Sequence, residues 1–282
     1  MPLPPKPELQ SLTLPQHANY SPELHAFGTA TYYISTHAFG HGGDGTLYFA
    51  KEAATDKIRV LKKSFSSPQF EAQILQQLNH PHIMRVLAVS SLGDMFVMEW
   101  MPHGNLRSYV KSTGVLSDVQ CFEVLLSLSS ALTYLHAKLI IHRDVKPENV
   151  LINAGGQVKL ADFGCAKKMT ASHEKLSDAA GTINHCAPEM MLLNSYDQSA
   201  DMWSLGVLLF YCVTKTLPFD EPTLRLYHES RGQKGNGFRS VISPDRLVER
   251  VTRNLLAVAP EQRYTAEQAT TFASNALRRA HR

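Results

Sequence analysis

The sequence predicts an α+β protein in two lobes, a small sheet-rich lobe followed by a mainly helical one. Between residues 27 and 101, short strand-like runs alternate with turns and are interrupted by one helical pattern. From Leu116 onward, most segments repeat apolar residues with helical spacing. With 44% hydrophobic residues, the 282-residue chain has enough apolar mass for a large core. We therefore expect lobes at 27–101 and 102–282, with one folded domain spanning 27–280.

The first 26 residues differ from the rest in composition. They show no sustained apolar periodicity, and they contain a concentration of prolines at Pro2, Pro4, Pro5, Pro7, Pro15 and Pro22. Proline-rich segments without periodicity are typical of loops and extended chain. We expect 1–26 to be a disordered leader.

Charge, cysteine spacing and apolar run length exclude several classes of protein. A net charge of +3 is too small to indicate nucleic acid or an anionic membrane as the main partner. The four cysteines have neither CxxC nor metal-ligand spacing. The longest apolar runs, such as 207–213, fall well short of the roughly 20 residues of a membrane-spanning helix. We expect a soluble protein of a reducing compartment, without nucleic acid or membrane partners.

The helical pattern of the first lobe begins at Ser67. Ser67 can cap the helix and Pro68 suits its first position. Its apolar stripe comprises Phe70, Ile74, Leu75 and Leu78, and Glu71 falls in its first turns. In the second lobe, we expect helices at 119–136, 199–213, 243–256 and 265–277.

A glycine motif lies between two strand-like runs. Gly40, Gly42 and Gly45 fit the pattern GxGxxG, whose missing side chains let backbone amides approach phosphate oxygens. Taken alone, the motif also fits a glycine-rich hairpin turn. In a dinucleotide-binding fold it would lead into a helix, whereas residues 46–49 favour a strand. The sequence therefore disfavours a dinucleotide-binding fold.

Lys62 ends the next strand-like run. The two-residue period of a strand places Ile58, Val60 and Lys62 on one face, whereas Lys63 projects from the other. We expect Lys62 to point toward the glycine motif.

The most specific passage is 142–149, HRDVKPEN. Thirteen residues after its last residue comes Asp162-Phe163-Gly164, and Ala187-Pro188-Glu189 follows later. Together with the glycine motif and the strand lysine, these motifs resemble, in order, the signature set of the eukaryotic-type protein kinases, Ser/Thr class. The resemblance covers roughly residues 30 to 277.

The resemblance implies the two-lobed protein-kinase fold: a small antiparallel sheet plus the αC helix in the first lobe, a mainly helical second lobe, and ATP with Mg²⁺ bound in the cleft between them. It implies transfer of the γ-phosphoryl group of ATP to protein Ser/Thr hydroxyls in signalling. Asp144 would then be the catalytic base, with Asn149 and Asp162 holding Mg²⁺. Lys62 would contact the ATP phosphates, and Lys146 occupies the position where Ser/Thr kinases carry a lysine near the transferring phosphate.

Further positions follow from the same resemblance. Glu71 matches the αC glutamate that pairs with Lys62, although the connection between them is shorter than usual. Residues matching the adenine site are Leu47, Val60, the gatekeeper Met98, the backbone of Glu99 and Met101, and Leu151. Residues matching the internal spine are Leu75, Leu87, His142 and Phe163, and each could equally be plain core. Structural roles are implied for Asp201, which would brace the catalytic loop, and for a buried ion pair between Glu189 and Arg263.

The resemblance also suggests how activity is controlled. Arg143, directly before Asp144, implies a positive pocket for a negative charge on the activation segment. Asp178 aligns with the usual phosphothreonine position, so its carboxylate is a candidate replacement for the phosphate. Autophosphorylation at Ser177, Ser172 or Thr170 is the competing interpretation.

Substrate recognition is less clearly implied. Thr182 matches the threonine that contacts Asp144 and Lys146, but His185 replaces the usual tyrosine or tryptophan nearby. Glu148 suggests tolerance for basic residues near the phosphorylation site, and the uncharged Asn105 weakens that suggestion.

Two other functions stay open. A pseudokinase that scaffolds through nucleotide binding usually lacks the lysine, the aspartate or the metal ligands, all of which are present here. Phosphorylation of a small molecule is weakened by the APE segment and Thr182. We expect a cytoplasmic location, or delivery into a host cytoplasm if the protein is a microbial effector; oligomeric state, pathway and physiological substrate are not predicted.

Overall fold

The structure is a computed structural model that describes residues 3–4, 15–42, 45–65, 68–172, 174–191, 195–219 and 247–280. The chain divides into two compact units. The sheet unit comprises 7–102 with 162–164, and the helical unit comprises 1–6, 103–161 and 165–282. The boundary after Pro102 is one residue beyond the predicted end of the first lobe, and 162–164 belongs to the sheet unit rather than to the second lobe.

An antiparallel sheet forms the core of the sheet unit. Its order is β1-β2-β4-β5-β7-β6, with β3 paired to β4. The seven described strands of this sheet are β1 Tyr20–Phe27, β2 Ala30–Ser35, β3 Gly40–Gly42, β4 Gly45–Glu52, β5 Ile58–Ser64, β6 Val86–Val89 and β7 Met95–Glu99. Short connections between successive strands favour this antiparallel pairing. The sheet therefore carries both the glycine motif and Lys62.

The expected disordered leader does not extend to residue 26. Residues 20–26 lie in β1, which pairs with β2 so that Phe27 is opposite Ala30. The ring of Phe27 meets that of Tyr32 edge-on at 5.9 Å, and both rings are buried. Pro22 lies where the register shifts between Tyr20 and Leu24, and a proline is tolerated in a strand at such an irregularity. Proline content therefore concealed a strand that buries apolar surface.

Leu3, at the other end of the expected leader, is also ordered. Its side chain is buried, and its N–H donates to the carbonyl of Gly156 at 3.0 Å. The hydroxyl of Tyr109 donates to the carbonyl of Pro4 at 3.0 Å. A Cβ at Gly156 would lie 2.0 Å from the Leu3 carbonyl oxygen, so this approach requires glycine. Leu3 and Pro4 are therefore held in the helical unit, of which they form part.

Helix α1, Pro68–Gln76, is the predicted αC helix. Ile74 and Leu75 are buried as expected, but Phe70 is 41% exposed and does not belong to the buried stripe. The helical spacing had placed Phe70 four residues before Ile74, but the burial shows that the buried face is narrower at the first turn. The predicted cap Ser67 lies outside the described residues.

The spine position predicted at Leu87 is wrong. Leu87 is 37% exposed, whereas its neighbour Val86 is partly buried. β6 has only four residues, and its register with β7 shifts between Val86 and Ala88. Because successive side chains of a strand point to opposite faces, an error of one residue inverts the prediction.

The helical unit contains most of the helices. Those described are α2 Leu106–Thr113, α3 Asp118–Ala137, α4 Pro188–Met191, α5 Ser199–Thr214, α6 Leu247–Leu255 and α7 Ala266–Ala280. Two short ladders accompany them, β8 Ile140–Ile141 with β11 Lys167–Lys168 and β9 Val150–Ile152 with β10 Val158–Leu160. The first four residues of the helix predicted at 243–256 lie outside the described residues.

Caps and burial explain why the long helices were predictable. Ser117 and Gln120 form a reciprocal capping box at the start of α3. Residues 200–213 of α5 are all buried, as expected for the central helix of the unit. At Gly206, a Cβ would lie 2.9 Å from side-chain atoms of Leu255 and Leu256, so α5 packs closely against the end of α6. Among the helices that the structure describes, none is both long and apolar enough to cross a membrane.

Candidate active site

Lys62 occupies the predicted inward position in the sheet unit. Its side chain is 9% exposed, whereas the adjacent Lys63 is exposed to solvent. The Nζ of Lys62 donates to both carboxylate oxygens of Glu71 at 2.9 Å and to Oδ1 of Asp162 at 2.9 Å. The backbone N–H of Phe163 donates to Glu71 at 3.3 Å. The structure thus brings together the strand lysine, the helix glutamate and the DFG aspartate.

This cluster keeps a positive charge inside the sheet unit. Burial lowers the pKa of Lys62, but the carboxylates of Glu71 and Asp162 outweigh that effect and raise the pKa above its ordinary value. Lys62 is therefore a cation at neutral pH. Asp162 has φ 61° and a 31% exposed side chain, and no described residue donates to its Oδ2. That oxygen is available to a ligand.

The described glycines of the motif lie on two paired strands, Gly40 and Gly42 on β3 and Gly45 at the start of β4. Gly40 is opposite Leu47 and Gly42 is opposite Gly45. A Cβ on Gly45 would lie 2.4 Å from the backbone oxygen of Lys63, so this position of the motif requires glycine for packing alone. Gly43 and Asp44 lie outside the described residues.

The predicted adenine-site residues stay predictions, but their positions can be given unit by unit. In the sheet unit, Val60 is opposite Met98, and Met101 is 3% exposed. Glu99 accepts a hydrogen bond from the backbone of Arg85 at 3.1 Å. In the helical unit, Leu151 lies on β9.

An aromatic cluster beside the glycine motif was not predicted. The rings of Phe39 and Phe49 stack with centroids 4.1 Å apart. Trp100 meets Phe39 edge-on at 5.9 Å and Phe49 at 5.1 Å. The cluster fixes the strand entering the motif against the chain that follows β7. The available signal was an aromatic residue directly before Gly40.

Asp144 is the centre of the hydrogen-bond network in the helical unit. Its Oδ2 accepts from Lys146 Nζ at 2.7 Å and from Asn149 Nδ2 at 2.9 Å. Its Oδ1 accepts from Thr182 Oγ1 at 2.8 Å, and Lys146 also reaches that hydroxyl oxygen at 2.7 Å. The contact predicted for Thr182 is therefore present, and it links the activation segment to the catalytic loop.

These contacts set the charge state of Asp144. Burial raises the pKa of Asp144, but the hydrogen bonds from Lys146 and Thr182 outweigh it and hold the pKa below its ordinary value. Asn149 donates through Nδ2 to the carboxylate and to the carbonyl of Asp144, and no described residue donates to its Oδ1. The loop therefore presents an ionised carboxylate and an available amide oxygen.

Asp201 holds the backbone of the catalytic loop, as predicted. It is fully buried at the start of α5 and accepts from the backbone N–H groups of His142 at 3.0 Å and Arg143 at 2.8 Å. His136 contacts the same carboxylate at 2.9 Å. Arg143 has φ 67°, an unfavourable conformation for a non-glycine residue that these bonds compensate.

Arg143 binds Asp178 of the activation segment. Its Nη1 donates to Asp178 Oδ2 at 2.7 Å and to the Tyr196 hydroxyl at 2.9 Å. Lys167 donates to the other carboxylate oxygen at 2.9 Å, and Tyr196 donates to the Asp178 carbonyl at 2.9 Å. Burial raises the pKa of Asp178, but Arg143 and Lys167 lower it far more. A permanent negative charge therefore occupies the Arg143 pocket.

Glu189 and Arg263 form the predicted buried ion pair. The guanidinium makes two parallel bonds to the carboxylate, 2.6 Å from Nη1 and 2.8 Å from Nη2. It also donates to the carbonyls of Ser199, Ala257 and Val258. It lies 5.1 Å from the Trp203 ring. The pair ties α4, which follows the activation segment, to the chain between α6 and α7.

Comparison with known proteins identifies the family to which this chain belongs. The model of the protein kinase domain matches residues 33–272. The Aurora kinase of Dictyostelium discoideum is 31% identical over 80% of this chain and 61% of its own length. The serine/threonine-protein kinase SIK2 of Gallus gallus is 35% identical over 76% of this chain and 27% of its own.

Another relative, the SNF1-related protein kinase catalytic subunit alpha KIN12 of Arabidopsis thaliana, is 34% identical over 66% of this chain and 40% of its own length. The matches thus span about three fifths of the Aurora kinase and about a quarter of SIK2. The family match covers most of the chain and includes every motif described above. The chain belongs to the protein kinase family, and it is similar over most of its length to SIK2, which is named a serine/threonine-protein kinase.

Proposed function

We propose that this protein is a Ser/Thr protein kinase, which transfers the γ-phosphoryl group of ATP to Ser and Thr hydroxyls of protein substrates. The observation that carries the proposal is the ionised Asp144, held by Lys146, Asn149 and Thr182. The Ser/Thr kinases among its relatives support the same conclusion.

The side chains fit ATP and Mg²⁺. Mg²⁺ binds carboxylate and carbonyl oxygens, and Asp162 Oδ2 and Asn149 Oδ1 are oxygens to which no described residue donates. We therefore assign Asp162 and Asn149 as the residues that would hold it. When bound, the ion neutralises phosphate charge. Lys62 supplies a further cation, and Gly40, Gly42 and Gly45 supply backbone amides without side chains.

Asp144 then acts on the acceptor hydroxyl. A bond forms between the hydroxyl oxygen and the γ-phosphorus as the bond to the β-phosphate oxygen breaks, which leaves ADP, and the hydroxyl proton passes to Asp144. A carboxylate of low pKa is a weak base. It suffices because a loose transition state needs little activation of the nucleophile, so orientation by Asp144 contributes most. Lys146, beside both Asp144 and Thr182, adds positive charge where the phosphoryl group arrives.

Transfer of labelled γ-phosphate to a mixed protein substrate tests the proposal. We expect label on Ser and Thr with wild type, and a loss of about 100-fold or more in Lys62→Met, because one fixed cation near developing charge contributes on that scale. Lys63→Met is the matched control, since the Lys63 side chain is exposed on the same strand. It should retain wild-type transfer.

Equal loss in both variants would indicate damage to β5 rather than loss of the cation. A wild type that transfers nothing, even after incubation with a cell lysate to supply an activator, would overturn the proposal. In that case, Mg²⁺-dependent ATP binding without transfer would identify a pseudokinase.

Asp178 gives this kinase basal activity without an upstream kinase. Its carboxylate satisfies Arg143, Lys167 and Tyr196, the groups that a phosphate at this position would otherwise bind. We expect Asp178→Ala to lose roughly tenfold in kcat, the scale of one charge-assisted hydrogen bond, and Asp178→Glu to keep most of it. Steady-state transfer assays of the three proteins measure this.

Ser177→Ala is the neighbouring control. Ser177 and Ser172 are exposed, and Thr170 donates to Glu174 at 2.7 Å. If autophosphorylation activates the protein instead, intact mass rises by one phosphate after incubation with ATP and Ser177→Ala or its counterparts lose activity. Equal kcat in wild type, Asp178→Ala and Asp178→Glu would refute the role of Asp178.

A further inference from the structure

The carboxylate of Glu148 forms an ion pair with Arg107 of the same chain. Glu148 lies in the short helical turn Pro147–Asn149, four residues beyond Asp144. Arg107, in the first turn of α2, donates through Nη1 to Glu148 Oε1 at 2.6 Å. The side chains are 38% and 33% exposed, so the pair lies at the surface next to the catalytic loop.

The arginine is held in place from its other side. The Arg107 guanidinium lies 5.6 Å from the centre of the Tyr211 ring, within the range of a cation–π contact. Asn105, whose lack of charge weakened the suggestion of basic substrates, caps α2 and accepts from the backbone of Ser108 at 2.8 Å. The Arg107 guanidinium therefore contacts both the Glu148 carboxylate and the Tyr211 ring.

His185 closes the cluster without adding charge. Its ring is buried, and neither ring nitrogen has a hydrogen-bond partner among the described residues. Burial lowers the pKa of His185, although Glu148 and Asp144 oppose that effect, while Lys146 and Arg107 add to it. The histidine is thus neutral at neutral pH. The second oxygen of Glu148, Oε2, is buried and has no partner within the described chain, so substrate cannot reach it.

The consequence is electrostatic. An exposed carboxylate this near Asp144 would attract a basic residue of the substrate, but here the carboxylate is paired one to one with a cation of the same chain. A substrate arginine would have to displace Arg107, which binds without the entropic cost of association. It would also meet the displaced guanidinium as a like charge.

We propose that Arg107 permanently occupies the cation site at Glu148, so that this protein phosphorylates Ser/Thr segments without selecting basic residues beside the acceptor. The inference rests on the proposed kinase activity and refines its substrate class. The sequence suggested that Glu148 confers tolerance for basic residues near the phosphorylation site. The structure removes the basis of that suggestion, because Arg107 neutralises the charge of Glu148 within the same chain.

Positional-scanning peptides test this. Each position flanking the acceptor is occupied by Arg or by Ala, and kcat/KM for the two is expressed as a ratio, so that each variant serves as its own reference. Wild type should give ratios within about twofold of one at every position, the scale of an exposed ion pair. Arg107→Leu removes the cation but keeps aliphatic bulk, and should raise the ratio about tenfold at one or more positions.

Two further variants identify the cause. Arg107→Lys keeps the charge and should retain wild-type ratios. In Arg107→Leu/Glu148→Gln, the gain should disappear, because the unpaired carboxylate is gone. A ratio that stays unchanged in Arg107→Leu overturns the inference.

Glu148→Gln alone decides the matter if Arg107→Leu proves inactive or unfolded. We expect Glu148→Gln to leave the wild-type ratios of kcat/KM for Arg and Ala peptides unchanged. A lower ratio in this variant would show that Glu148 reads substrate arginine. A wild type that prefers Arg peptides overturns the inference while leaving the kinase activity intact. A wild type that labels no peptide refutes the proposed function itself, and the inference with it.

Discussion

Replacing Asp144 with Asn is expected to lower kcat about a thousandfold, within the range of general acid–base catalysis. The asparagine has no charge to accept the hydroxyl proton. It also replaces one of the two carboxylate oxygens, which together accept three hydrogen bonds from Lys146, Asn149 and Thr182, with an amide N–H₂. Steady-state transfer of labelled phosphate measures the loss, and thermal unfolding shows whether the variant is folded.

Asp56→Asn is the matched control for the same chemical change. Asp56 is exposed and has φ 56°, a conformation that asparagine adopts readily, and its partner is the surface residue Lys51. This control should keep full activity. If Asp144→Asn kept a tenth or more of the wild-type kcat while folded, Asp144 would not be the base.

Replacing Arg263 with Leu is expected to reduce the free energy of unfolding by about 3–5 kcal/mol. The change leaves the carboxylate of Glu189 buried without Arg263 and removes one hydrogen bond from each of three carbonyl oxygens. Urea unfolding followed by circular dichroism gives the value. Activity should fall only to the extent that the protein unfolds.

Arg278→Leu provides the comparison, because Arg278 is exposed in the last turn of α7. We expect its effect to stay within about 0.5 kcal/mol. The double variant Arg263→Leu/Glu189→Gln should lose less free energy of unfolding than the sum of the losses in the two single variants, because both changes break the same interaction. Strict additivity would show that the two residues stabilise the fold independently.

Much of the fold could be predicted because its signals are local. Helices α3, α5 and α7 combine long apolar periodicity with caps or full burial, and their bounds differ from the predicted ones by at most three residues. Lys62 was separable from Lys63 because strand side chains alternate. β1 was missed because its one proline, Pro22, continues the proline-rich segment before it, and only the pairing with β2 reveals the buried face of Phe27.

The candidate site could be predicted where sequence motifs specify it. It could not be predicted where it depends on contacts between residues that are far apart in the sequence. The network around Asp144 comes from one short segment together with Thr182. In contrast, Arg107 and Glu148 are 41 residues apart, and no local pattern indicates that two surface charges will meet. The cluster of Phe39, Phe49 and Trp100 likewise exists only after β3, β4 and β7 are assembled.

The Arg143 pocket has a consequence for the time course of signalling. A phosphate on an activation segment can be hydrolysed, so its lifetime is set by phosphatases. The carboxylate of Asp178 belongs to the chain itself and gives a phosphatase nothing to remove. We therefore expect the output of this kinase in a cell to follow its rates of synthesis and degradation, and phosphatase inhibitors to leave its specific activity unchanged.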